Sequence, residues 1–158
     1  MKDSRKLLRK IRLLTGLFIL GLFLSGVTAI PLLPETAWLN QQFDVSWLQH
    51  VHTALTQTQA QYPFLFYGAD WLAFGHFVIA IAFIGAWRDP VRNRWLFDFG
   101  LIACALVIPY ALVFGSLRGI PLWWRFLDCS FGMCGSIRFG FVVIGHANWN
   151  GPKKLEIP

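Results

Sequence analysis

Between Leu13 and Leu33 the chain reads LLTGLFILGLFLSGVTAIPLL, without one ionisable side chain. A helix needs roughly 20 apolar residues to cross the hydrocarbon core of a bilayer. Two further stretches have this character. WLAFGHFVIAIAFIGAW, Trp71 to Trp87, contains the lone His76, and WLFDFGLIACALVIPYALVFG, Trp95 to Gly115, contains Asp98 and a mid-span Pro109. A fourth stretch, PLWWRFLDCSFGMCGSIRFGFVVIG from Pro121 to Gly145, is weaker because it carries Arg125, Asp128 and Arg138. Composition points the same way. Of 158 residues, 56% are hydrophobic and only 14% charged, too few charges to clothe a soluble domain of this size. The expectation is an all-α polytopic membrane protein with four transmembrane helices and a single membrane domain over residues 1–158. Its spans are about 13–33, 71–87, 95–115 and 121–145, with an external loop over 34–70 and a cytoplasmic hairpin over 88–94.

The charges orient these spans. Lys2, Arg5, Lys6, Arg9, Lys10 and Arg12 precede the first one, against a single acid, Asp3. Lys and Arg collect on the cytoplasmic side of membrane proteins, which puts the N-terminus inside. The segment Pro34–Asp70 holds Glu35, Asp44 and Asp70 with no Lys or Arg, and so belongs outside. Two crossings from the N-terminus, WRDPVRNRW brings Arg88, Arg92 and Arg94 back to the inner face, flanked by Trp87 and Trp95 at aromatic-belt positions. Topology accounts for these arginines, and an anionic lipid or phosphate site is the rival reading. The net charge of +6 therefore calls for the lipid bilayer as partner rather than nucleic acid. The first span also resembles a secretory signal peptide, with VTA ending at Ala29. Its apolar run continues to Leu33, long enough to span, which favours an uncleaved helix.

Within the external loop, DVSWLQHVHTALTQTQAQ places Leu48, Val51, His52 and Leu55 at helical spacing. That predicts a short external amphipathic helix over 44–61, with Asp44 as its N-cap, lying on the outer leaflet or over the mouth of the helices. His50 and His52 fall on nearly opposite sides of such a helix, so they make a poor metal pair. Cys104, Cys129 and Cys134 match neither a CxxC nor a zinc pattern. No phosphate loop, GxSxG elbow or HExxH motif is present. Neither a metal nor a cofactor is called for. Gly21 and Ser25 offer a weak small-residue face for close helix packing.

Polar residues inside spans are expensive and therefore informative. A rise of about 1.5 Å per residue puts His76, Tyr110, Arg125 and Asp128 at similar depth in the outer leaflet. Two readings of this layer stay open. In one it is interhelical glue, with Arg125 and Asp128 neutralising each other at i and i+3. In the other it is a small pocket for a ligand or protons, with His76 titrating and Arg125 as an anion clamp.

The stretches YPFLFYGADWLAFGHFVIAIAFIGAWRDPVRNRW, FGLIACALVIPYALVFG and RGIPLWWRFLDCSFG carry a resemblance. Over roughly Tyr62 to Gly132 the chain resembles a group of small four-helix proteins of the bacterial inner membrane to which no activity is assigned. The resemblance implies a four-helix bundle, a bacterial source and an inner-membrane location. It lends no catalytic residue. Arg138 departs from the group, whose last span is expected to stay apolar after Gly135. The functional expectation is a non-enzymatic accessory or scaffolding subunit of a membrane assembly, with other membrane subunits as partners. The alternative is a carrier or enzyme subunit that binds a small ligand at the outer-leaflet pocket.

Overall fold

The computed structural model of the chain describes residues 2–147. Among these, every regular element is helical. The order is α1 (Lys2–Thr28), α2 (Leu32–Gln42), α3 (Ser46–Gln61), a 3-10 turn (Pro63–Phe66), α4 (Tyr67–Arg88), α5 (Arg94–Leu117) and α6 (Leu122–Ala147). Three helices among the described residues are long and apolar enough to cross a membrane: Arg5–Thr28, Pro63–Arg88 and Arg94–Leu117. Their apolar side chains stand largely open. Leu117 is 74% exposed and Leu106 61%, an outer surface suited to hydrocarbon.

Several expected boundaries shift, each for a local reason. The expected span 13–33 is replaced by a helix that starts at Lys2 and ends at Thr28. Its basic segment is helical as well, and Pro31 disfavours helical backbone in the residue before it. The expected external loop 34–70 contains two helices instead of one, because α2 precedes α3. Asp44 is not the N-cap of α3. Val45 holds that position without a side-chain cap, and the Asp44 carboxylate accepts from Gln49 Nε2 at 2.9 Å.

The chain forms two compact units. One is Phe18–Ala82; the other runs Met1–Leu17 and resumes at Phe83. In the Phe18–Ala82 unit, α2 packs on α3, and Thr36 Oγ1 meets His52 Nδ1 at 3.1 Å. The less exposed positions of α3 are Trp47, Leu48, Val51, His52, Leu55 and Thr58, which include all four that helical spacing had marked. A Cβ added at Gly21 would meet nothing within 4 Å, and the close approach falls instead at Gly26, beneath the Phe77 ring. Phe23 packs against the same ring at 5.5 Å between centroids.

The second unit is dominated by the packing of α5 on α6. Phe139 lies beside Phe83 and Phe97 at centroid distances of 5.6 and 6.3 Å, and both partners are fully buried. Gly132 and Gly135 let α6 approach α5 closely. A Cβ at 132 would stand 2.7 Å from the Cys104 carbonyl oxygen, and one at 135 would overlap the Cys104 sulfur. The connection is a tight helix stop. Gly119 adopts φ 68°, Gly119 N–H donates to Ser116 and Ile120 N–H to Gly115 at 3.2 and 2.9 Å. These paired bonds satisfy two carbonyls of the last turn of α5, and the left-handed residue is glycine because it has no Cβ to clash.

Candidate functional site

The tight stop after α5 positions the chemistry. It ends α5 at Leu117 and lets α6 start at Leu122, so polar side chains of the two helices line one seam. An open groove of about 550 Å3 runs there. Its apolar wall is Ala103, Leu106, Val107, Ala111 and Phe114, and its polar members are Tyr110, Arg118 and Asp128. Tyr110 rests on Phe114, with ring centroids 4.4 Å apart. Pro109 lacks an N–H, so the Ala105 carbonyl beside this wall loses its helical donor.

Of the four expected layer residues, two line the groove, Tyr110 and Asp128. Arg125 points elsewhere. Its Nε donates to the Ile120 carbonyl at 2.8 Å, and its Cγ and Cδ lie over Gly115. It therefore braces the α5–α6 turn. Among the described residues of this unit no ion pair forms, so the expected Arg125–Asp128 pair is replaced by this backbone contact. His76 belongs to the Phe18–Ala82 unit. Its Nδ1 lies 2.7 Å from the Leu72 carbonyl, one turn back on α4. A carbonyl only accepts, so Nδ1 carries the proton in this arrangement.

Arg118 is a groove residue that the sequence reading left out. A signal for it exists. Tyr110, Phe114 and Arg118 follow at i, i+4 and i+8, the spacing of one helix face, and Arg118 caps the helix in near-helical backbone (φ −96°, ψ 5°).

The orienting arginines sit at the far end of the same unit. Arg88 closes α4 and Arg94 opens α5. Between them Asn93 Nδ2 donates to the carbonyls of Gly85 and Asp89 at 3.1 and 3.0 Å, and Asp89 Oδ1 accepts from the Arg92 amide at 3.1 Å. Arg12 Nη2 donates to the Arg88 carbonyl at 3.1 Å, placing a cation on the C-terminal end of α4, where the helix dipole favours it. Thr15, one turn further along α1, is buried and donates to its own Ile11 carbonyl at 2.8 Å.

Cys104, Cys129 and Cys134 are all free thiols. Cys129 is buried, and its Sγ points at the Ile108 carbonyl 3.8 Å away. Among the described residues no group of three or more His, Cys, Asp or Glu could hold a metal ion.

Fold and site together define a class: among the described residues, an all-helical protein with three helices long and apolar enough to cross a membrane and a groove between α5 and α6 that carries Tyr110, Arg118 and Asp128. Comparison of the chain with protein-family models, with curated proteins and with solved structures found no match.

Proposed function

We propose that this is a non-enzymatic integral membrane protein, an accessory or scaffolding subunit of a bacterial inner membrane. In this reading α1, α4, α5 and α6 all cross the bilayer. The N-terminus and the 88–94 hairpin face the cytoplasm, and α2 and α3 lie outside, with α3 along the outer surface. The observation that carries it is the hydrogen bond from Arg12 to the Arg88 carbonyl. It sets the basic start of α1 level with the basic end of α4, so these two cationic segments share one side of the membrane. Positive charge then favours the inner side. At the other end of α4, Tyr67, Trp71 and Phe74 stack edge to face at 5.9 and 5.5 Å, as an aromatic belt at the opposite interface would. The scaffolding role is supported by how the polar side chains are used. Arg125 and His76 both engage backbone carbonyls of nearby residues.

A cysteine at Val91 tests the orientation, after the native thiols are replaced. Val91 is chosen because it is exposed and because the neighbouring Asn93 side chain holds the turn. The expected result is no labelling by a membrane-impermeant thiol reagent in intact cells and full labelling after permeabilisation. Labelling in intact cells overturns the orientation. For the accessory role, mild-detergent purification is expected to bring partner subunits along, and His76→Ala to change stability without abolishing their retention.

One observation favours the ligand-binding alternative at the same time. Tyr110, Arg118 and Asp128 line one groove, and their side-chain polar atoms have no hydrogen-bond or ion-pair partner among the described residues. Unpaired polar groups at membrane depth ordinarily mark a site.

A further inference from the structure

We infer that the seam between the start of α1 and the end of α4 holds one anionic phospholipid of the phosphatidylglycerol kind, its phosphate between Arg9 and Arg12. The inference rests on the reading that α1 and α4 cross a bilayer.

Two kinds of cation are sorted on α1. Arg5, Arg9 and Arg12 follow at i, i+4 and i+7, and Gly16 continues the same stripe. Lys6 and Lys10 lie about a third of a turn round the helix from it. On the other flank of the stripe are Ile11 and Thr15, both buried. The arginines therefore border the packed side of α1, and all three are exposed. Arginine is the side chain whose planar fork of donors matches a phosphate.

The stripe runs into the end of α4. Arg12 Nη2 donates to the Arg88 carbonyl at 3.1 Å, which anchors the guanidinium and leaves the rest of its fork for an acceptor. One turn deeper, Trp87 lies over the stripe, because a Cβ at Gly16 would stand 3.5 Å from its Nε1. Trp87 is partly exposed, so an indole sits roughly 6 Å below Arg12, where the ester groups of a lipid follow its phosphate. Leu13 and Leu17 are exposed at that depth and offer apolar surface to an acyl chain.

Charge selects the class of lipid. Residues 2–12 and 88–94 carry nine Lys and Arg against Asp3 and Asp89, and Asp98, one turn into α5, raises the acids only to three. Asp89 Oδ1 already accepts from the Arg92 amide. The residues after 147 add Lys153 and Lys154 against Glu156, so the acids of this side are outnumbered however they pair. A zwitterionic headgroup would bring a further cation into this surplus. A headgroup whose only charge is its phosphate does not. A phosphate without acyl chains would forgo the surface of Trp87, Leu13 and Leu17.

Native mass spectrometry of the full chain tests this. Membranes are first washed with alkali. The protein is then purified in mild detergent and given equimolar phosphatidylglycerol and phosphatidylcholine with the same acyl chains. Phosphatidylglycerol is expected to be retained about tenfold or more over phosphatidylcholine, as two arginines at one phosphate would give. Arg9→Gln is expected to lower that preference about fivefold while keeping the melting temperature. Lys10→Gln removes the same charge one residue along, on the other face, and is expected to leave the preference nearly intact. Excess glycerophosphoglycerol, the same headgroup without acyl chains, is expected not to displace the lipid. Equal retention of the two lipids by the unaltered protein overturns the inference without calling on any variant. Equal losses from Arg9→Gln and Lys10→Gln overturn it too, since they would mean a diffuse field of charge in place of a site. Displacement by glycerophosphoglycerol would assign the stripe to a soluble phosphodiester and likewise overturns it. A chain released by the alkali wash overturns the membrane reading itself, an outcome distinct from all of these.

Discussion

A single methyl group separates the two kinds of glycine in this chain. At Gly132 it would meet the Cys104 carbonyl oxygen at 2.7 Å, and backbone cannot move aside as a side-chain tip can. Gly132→Ala is therefore expected to lower stability by about 1–3 kcal/mol, the usual range for overpacking. Gly21 faces open space, so Gly21→Ala gains helix propensity, worth roughly 0.8–1 kcal/mol, and meets no obstacle. Thermal unfolding of both variants in one detergent should give shifts of opposite sign. Arg125 makes a comparable test. Arg125→Met keeps the alkyl packing over Gly115 but loses the donor to the Ile120 carbonyl, at a cost of about 0.5–1.5 kcal/mol. Arg125→Ala loses both and should melt lower still. Equal losses would mean that the hydrogen bond alone matters. The place of Arg125 near the start of the last helix was legible in the sequence, because the helix begins just after Pro121. Its partner was not, since a flexible side chain chooses among nearby acceptors, and the freed carbonyl at Ile120 exists only once the turn has formed.

Helices differ in how openly the sequence announces them. The spans around α4 and α5 were read within a few residues, because an unbroken apolar run leaves only one economical way to satisfy its backbone in hydrocarbon. The packed face of α3 was legible too, since Leu48, Val51, His52 and Leu55 repeat at helical spacing. The helix before it was missed. LLPETAWLNQQ buries no residue, and Pro34 reads as a breaker although it falls in the first turn, where its missing N–H costs nothing. What holds α2 is tertiary, the packing on α3 with the Thr36–His52 contact. A synthetic peptide of residues 44–61 should gain helical circular dichroism on lipid vesicles if α3 lies on the membrane surface. A coil spectrum at every lipid composition would mean that its apolar face needs α2. In the α4–α5 connection, Asn93 acts as a double donor, so Asn93→Asp should destabilise as much as Asn93→Ala, by about 1–3 kcal/mol. A fully stable Asn93→Asp would rule out that role.

Across the whole molecule, composition settled the helical class early, while the groove emerged only when two helices that are separate runs in the sequence were brought side by side. Tyr110 and Asp128 could be placed at one depth from sequence; that Arg118 joins them depends on where the α5 helix stops, a matter decided at Gly119. That stop also bears on how the protein is made. α6 carries Arg125, Asp128 and Arg138, and each charge near a helix centre opposes insertion by about 2.5–3.5 kcal/mol on the biological scale. α5 has only Arg94 and Asp98, both within its first five residues, and the turn joining the two helices is too short to let them separate. They should therefore leave the insertion machinery as one hairpin, with α5 carrying its more polar partner into the bilayer. A glycosylation reporter built around α6 alone should remain largely translocated, and the same reporter around residues 94–147 should show two crossings. Lengthening the turn with a flexible linker after Gly119 should then cost yield during synthesis more than it costs the finished protein in melting temperature, because the turn's first service is to keep two nascent helices in step.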